Sequence, residues 1–129
     1  PYVLVPDVAE ALTALAVAAR SRLDEKAVVL GVTGSVGKTS TKEALAAALT
    51  RSRKGHVHRS VKSYNNHTGV PLSLARMPRD TCFAVLEMGM NHAGEIAALT
   101  ALARPHIALV TAIAPAHIEH LGSIEAIAD

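Results

Sequence analysis

The densest chemical signal in the chain is the run Gly31-Val32-Thr33-Gly34-Ser35-Val36-Gly37-Lys38-Thr39-Ser40. A phosphate-binding loop is usually written as Gly, four residues, then Gly-Lys-Thr/Ser. Here Val32 stands at the first position, with Gly31 and Gly34 on either side of it. The physics survives that departure. Small residues let backbone N–H groups converge on phosphate oxygens, at the start of a helix whose dipole favours anions. Gly34, Ser35, Val36, Gly37, Lys38, Thr39 and Ser40 are therefore the candidate phosphate-holding residues, with the Lys38 charge directed at the β and γ phosphates and the Thr39 hydroxyl at Mg²⁺. The plainer alternative is a tight strand-to-helix turn carrying a surface lysine. The aliphatic strand before the loop and the helical pattern after it favour the phosphate loop.

A second group of residues could complete such a site. Glu87 ends the apolar run Phe83-Ala84-Val85-Leu86. An acid there can reach a magnesium ion held by the first loop, because Mg²⁺ takes few protein oxygens and fills its shell with phosphate and water. Otherwise Glu87 is a solvated acid at a strand end. His117 and His120 flank Glu119 at a spacing compatible with zinc, but no cysteine or clear third ligand lies near. One histidine on a second Mg²⁺ suits a phosphate-loop protein better. His67 and His92 lie in loops, where an exposed histidine needs no function. Asn65 and Asn66 either build the turn before Gly69 or offer amides to phosphate and metal oxygens. Arg51, Arg53, Lys54, Arg59 and Lys62 form a basic stretch with no acid among them, read as a solvated edge; the alternative is a face toward an acidic ligand. Cys82 opens an apolar strand and reads as a core residue.

The elements that must position these groups follow from periodicity. Asp7 caps a helix whose apolar residues Val8, Leu12, Leu15 and Ala19 recur at helical spacing. Arg20 to Lys26 reads as a charged linker. Ala27 to Val32 is an aliphatic run without alternation, as a strand covered on both faces requires. Lys38 to Thr50 is a helix with Leu45 and Leu49 inward. A short strand over His56–Arg59 and a polar loop over Ser60–Gly69 precede a short helix over Leu72–Met77, with Pro71 at its start. Cys82–Met88 is a second buried strand, Gly94–Arg104 a helix ended before Pro105, and Ile107–Thr111 a further strand. Ser123 caps a last helix. Aliphatic strands alternating with helices predict an α/β fold with a mostly parallel sheet flanked by helices, here incomplete. Ligands in such folds lie beyond the carboxyl ends of the strands, where the candidate residues fall.

Composition excludes several classes. The 129 residues are 50% hydrophobic but only 2% aromatic, so the core is aliphatic and rich in alanine. Thirteen Lys/Arg against 11 Asp/Glu leave a net charge of +2. That is too mild to argue for a nucleic-acid partner. One cysteine excludes an internal disulfide framework. No apolar run reaches the ~20 residues that span a bilayer, so no membrane insertion is expected. Pro1 is not an initiator residue, and the chain is expected to be part of a longer polypeptide.

Four stretches, in order, resemble the Mur ligase family. They are Thr33-Gly34-Ser35-Val36-Gly37-Lys38-Thr39-Ser40, Asn65-Asn66-His67-Thr68-Gly69-Val70-Pro71-Leu72, Leu86-Glu87-Met88-Gly89-Met90-Asn91-His92-Ala93-Gly94-Glu95-Ile96 and Ala116-His117-Ile118-Glu119-His120-Leu121-Gly122-Ser123. The resemblance covers nearly the whole chain and is greatest to the member that acts last. It implies a P-loop nucleotide-binding fold, with residues 1–26 as the tail of an N-terminal UDP-substrate domain plus linker and 27–129 as the first half of a central ATP-binding domain.

The resemblance also implies chemistry. It points to ATP-dependent amide ligation in peptidoglycan precursor synthesis, with UDP-N-acetylmuramoyl-tripeptide and D-alanyl-D-alanine as partners, ATP and Mg²⁺ as cofactors, and a cytoplasmic, monomeric parent. Gly34, Gly37, Lys38 and Thr39 would hold ATP phosphates; Thr39, Glu87 and His117 would hold Mg²⁺. Lys38, Glu87 and His117 would act in catalysis, Asn66 would sit near the phosphates, and Asn91 and His92 near the acceptor. The family usually has Asn where this chain has Ala112. Competing readings are a folylpolyglutamate-synthase-like ligase, opposed by the second and third motifs, and a non-ligase P-loop module. The isolated 129 residues are expected to be inactive even if the parent protein is a ligase.

Overall fold

The computed structural model describes residues 2–115 and 122–128. Its elements are α1 (Val8–Ser21), β1 (Val28–Thr33), α2 (Lys38–Ser52), β2 (Val57–Arg59), α3 (Gly69–Ala75), β3 (Phe83–Glu87), α4 (Glu95–Ala103), β4 (Ile107–Val110) and α5 (Ile124–Ala128). The four strands form one sheet in the order β2-β3-β1-β4, and every pairing is parallel. The expected α/β architecture with helices on both faces is what the chain adopts. Among the described residues no helix is long and apolar enough to cross a membrane.

Strand alternation divides the core in two. Val29, Ala84 and Leu86 face a cluster with Ala16, Val70, Leu74, Leu99 and Ala103, drawn from α1, α3 and α4. Val32 and Val85 face the opposite way, toward Ala46 of α2, with Leu45, Leu49 and Leu109 packed around them. A two-residue period therefore puts Glu87, two places after Val85, on the face that α2 covers. Its register partner on β1 is Val32.

The first helix departs from the expected stripe. Asp7 does cap it, accepting the Glu10 N–H at 2.8 Å. The buried positions, however, are Ala16 and Ala19, while Val8 is 76% and Leu15 61% exposed. Leu12, Ala16, Ala19 and Leu23 form the inward stripe, and alanines at its centre let α1 lie close on α3. Two arginines fix that rotation. Arg20 donates from Nε to the Ala103 carbonyl and from Nη2 to the Arg104 carbonyl, both at 2.7 Å. Arg22 donates to the Met77 carbonyl at 2.7 Å. The segment expected to be a charged linker thus satisfies carbonyls at the carboxyl end of α4 and just past that of α3, where cations are favoured. The short helix α3 begins at Gly69, two residues before Pro71, which occupies its first turn where a missing N–H costs nothing.

Candidate functional site

The loops at the carboxyl ends of β1, β3 and β4 converge. Loop residues 34–37 leave β1 and enter α2 through Gly37, whose φ of 83° is left-handed. Gly34 has φ 129°, and a Cβ there would lie 2.3 Å from Thr111 Oγ1. Only glycine fits, because the loop runs directly against the segment after β4. That segment clasps it. The Ser35 N–H donates to the Ala112 carbonyl at 2.7 Å. The Ser35 hydroxyl donates to the Ala114 carbonyl at 3.1 Å and accepts the Ala114 N–H at 3.0 Å. Thr111 Oγ1 lies 2.6 Å from the Val36 carbonyl, to which it donates. Ala112 has no side-chain amide, but its backbone carbonyl supports the loop. Lys38 arches back over the loop and donates from Nζ to the Gly34 carbonyl at 2.7 Å.

Behind the loop, the first turn of α2 meets β3. Thr39 Oγ1 donates to Glu87 Oε2 at 2.9 Å. Glu87 is 1% exposed, so it is not the solvated acid of the plainer reading. A buried carboxylate requires partners. It has them: Asn65 Nδ2 donates to Oε1 at 2.8 Å, and the Lys42 ammonium lies 3.7 Å from Oε2. The Glu87 backbone N–H donates to Ser60 Oγ at 3.0 Å. The Thr39 proton is committed to Glu87, which leaves the lone pairs of Oγ1 open to a cation. Among the described residues no group of three His, Cys, Asp or Glu side chains could hold a metal. Hydroxyl and carboxylate oxygens with few protein ligands suit Mg²⁺, which draws the rest of its shell from phosphate and water.

The paired asparagines separate. Asn65 reaches Glu87, whereas Asn66 Oδ1 accepts the Gly69 N–H at 2.9 Å and the Thr68 N–H at 3.2 Å, so it orders the entry to α3. Gly89 carries the Asn65 segment: its N–H donates to the Asn65 carbonyl at 2.8 Å, and a Cβ on Gly89 would lie 2.8 Å from the Asn65 carboxamide. Asn91 and His92 lie in the turn before α4. Their N–H groups donate to Glu95 Oε2 at 2.6 and 3.1 Å. The Asn91 N–H, then that of His92, holds the Glu95 carboxyl below its ordinary range. His117 and His120 lie outside the described residues.

A cavity of about 600 Å³ opens beside the glycine-rich loop, with Ser35 and Lys38 on one wall and Met90, Ile96, Ile113 and Ile127 on the others. It is predominantly apolar with a charged end, the usual character of a small-molecule site. The basic stretch lies elsewhere: Arg51, Arg53, Lys54, Arg59 and Lys62 are all exposed, and Arg59 pairs with Glu43 at 2.7 Å. Sequence reasoning passed over Lys42 and Ser60. Both are fully buried beside Glu87. A lysine three residues after Thr39 shares its helix face, the one signal that pointed inward.

Known proteins resemble this chain in sequence and fold. The Mur ligase middle domain model matches residues 32–129. The UDP-N-acetylmuramoyl-tripeptide–D-alanyl-D-alanine ligase of Bacillus subtilis is 45% identical over 98% of this chain, and that of Synechocystis 50% identical over 78%. MurF of Acinetobacter baumannii superposes with a TM-score of 0.86 at 34% identity over 98% of the chain. MurF of Thermotoga maritima, solved in complex with ADP, superposes with 0.83 at the same identity and coverage. The chain spans 27% of the Bacillus relative and 29% of the Thermotoga one. With the middle-domain model matching residues 32–129, most of its length, the chain belongs to the Mur ligase family.

Proposed function

We propose that the protein to which this chain belongs is the ATP-dependent ligase that joins D-alanyl-D-alanine to UDP-N-acetylmuramoyl-tripeptide. The observation that carries the reading is the contact between Thr39 and Glu87, which sets a hydroxyl and a buried carboxylate directly behind a glycine-rich loop. The names of the relatives supply the substrates, and the ADP complex of the Thermotoga relative supplies the nucleotide class.

In this reading the loop from Gly34 to Ser40 holds the ATP phosphates, and Lys38 turns from the Gly34 carbonyl to the phosphate oxygens. Thr39 and Glu87 would hold Mg²⁺, with His117 at a second ion. Bound there, the ion would offset negative charge on the phosphates. A carboxylate oxygen of the tripeptide attacks the γ phosphorus, the bond to the β-phosphate oxygen breaks, and ADP leaves. The amine of D-alanyl-D-alanine then attacks the acyl carbon and phosphate departs, the amine losing its proton. Catalysis of this kind is positioning and charge stabilisation, and no side chain here is needed as a covalent nucleophile. Asn66 would sit near the phosphates, and Asn91 and His92 near the acceptor.

Residues 1–26 would extend from a UDP-substrate domain, and 27–129 would form the first half of the central ATP domain in a monomeric cytoplasmic enzyme. The test is ADP release in the full-length protein. Release that requires both substrates is expected, with none from the isolated 129 residues. Release independent of either substrate would favour a different P-loop function.

A further inference from the structure

Lys42 has no part in the reading above, yet it is fully buried. An ammonium withdrawn from water costs several kcal/mol unless its protons find acceptors. Here its Nζ donates to the Ser60 carbonyl at 2.9 Å and also to the Lys62 carbonyl. It further lies 3.2 Å from Glu43 Oε1 and 3.7 Å from Glu87 Oε2. One side chain thus ties together α2, the loop after β2 and the end of β3.

The loop it holds contains a residue in a strained backbone conformation. Lys62 has φ 50°, one of two non-glycine residues in the left-handed region among those described. That conformation is costly without support, and the Lys42 contact falls on its carbonyl. From this pinned turn the chain proceeds to Asn65, whose carbonyl accepts the Gly89 N–H and whose amide meets Glu87. Ser60 links the same parts a second time, since its hydroxyl accepts the Glu87 N–H while its carbonyl accepts from Lys42.

We infer that Lys42 is a positioning residue that clamps the 60–65 loop to α2 and so holds Asn65 and the Glu87 carboxylate in register with Thr39. It touches no substrate; it sets where the carboxylate stands. The part concerning turnover rests on the proposed ligase function, whereas the clamp does not.

The experiment compares K42M, N65A and the double variant in the full-length protein. Methionine keeps much of the buried volume and removes the donors. Amide hydrogen exchange is the first readout. In K42M, exchange across 60–66 should rise by roughly 10-fold or more while β3 stays protected, which marks local release and not unfolding. Turnover is the second. K42M should lower kcat by ~100-fold with the KM for ATP little changed, as misplacement of a catalytic constellation does. The double variant should be no worse than about the poorer single one, because both act on one contact network. Unchanged exchange at 60–66 in K42M would overturn the clamp, whatever the enzyme's activity. Additive losses in kcat would overturn the link to Asn65. Should K42M not fold, N65A still tests the path: exchange at 60–62 should remain at the wild-type level, since Lys42 holds that turn independently, and loss of protection there would reverse the proposed order of dependence.

Discussion

The hydroxyl of Thr39 donates its proton to Glu87 across 2.9 Å, although 48 residues separate them in the chain. That bond joins the helix after β1 to the end of the neighbouring parallel strand β3. It holds the Thr39 hydroxyl against a carboxylate that is itself buried. Thr39→Val keeps the shape and removes the oxygen. The full-length protein should then require much more Mg²⁺ for half-maximal ADP release, with kcat down by ~100-fold. A magnesium titration identical to wild type would remove Thr39 from the metal's shell.

Lys38 donates to the Gly34 carbonyl, within its own loop. Lys38→Ala should leave the circular dichroism spectrum and the unfolding midpoint nearly unchanged. Phosphoryl transfer should fall by roughly 100- to 1,000-fold, the usual cost of removing a charge-stabilising donor. Turnover at the wild-type rate would show that the loop does not act on the γ phosphate.

Gly34 is a packing constraint as well as a chemical one. Gly34→Ala would place a methyl against Thr111 Oγ1 and the Ala112 backbone at a φ that alanine tolerates poorly. The expected cost is about 1–3 kcal/mol in urea unfolding. Ser35 should also lose protection of its N–H, which now donates to Ala112. A variant as stable as wild type with that amide still protected would show that the loop can be rebuilt without glycine.

His58 gives a pH signature apart from the candidate site. Burial lowers its pKa below the ordinary 6.5; the Ser73 carbonyl opposes this, and Arg76 and Arg59 reinforce it. The unfolded chain therefore binds the proton first as the pH falls. The stabilising contribution is complete above the ordinary value and is lost as the pH drops through the lower folded value. Urea unfolding at pH 7.5 and 5.5 should show a loss of stability on acidification that is smaller in His58→Gln. Equal losses in both proteins would exclude His58 as the source.

Much of this was legible from spacing. The glycine-rich loop, the aliphatic strands and Glu87 at a strand end are local patterns, and a parallel sheet brings the carboxyl ends of its strands to one side whatever their order. The cap at Asp7 and the stop before Pro105 likewise depend on a few neighbouring residues. Local pattern was insufficient for α1, where two stripes were available and the apolar one, Val8 and Leu15, stayed outside. The choice was made by distant carbonyls at Met77, Ala103 and Arg104 that needed donors. The same holds for the asparagine pair. Adjacent and chemically identical, they are distinguished only by what each one meets: Asn65 a buried carboxylate, Asn66 the N–H groups that open α3. Lys42 is the plainest case. Beyond its place on the helix face of Thr39, nothing in this lysine indicates burial; the Ser60 and Lys62 carbonyls and two acids supply the acceptors that make burial tolerable. Periodicity reports which face an element turns inward, whereas the partners of a buried polar atom come from segments far away in the chain and exist only once the sheet has assembled.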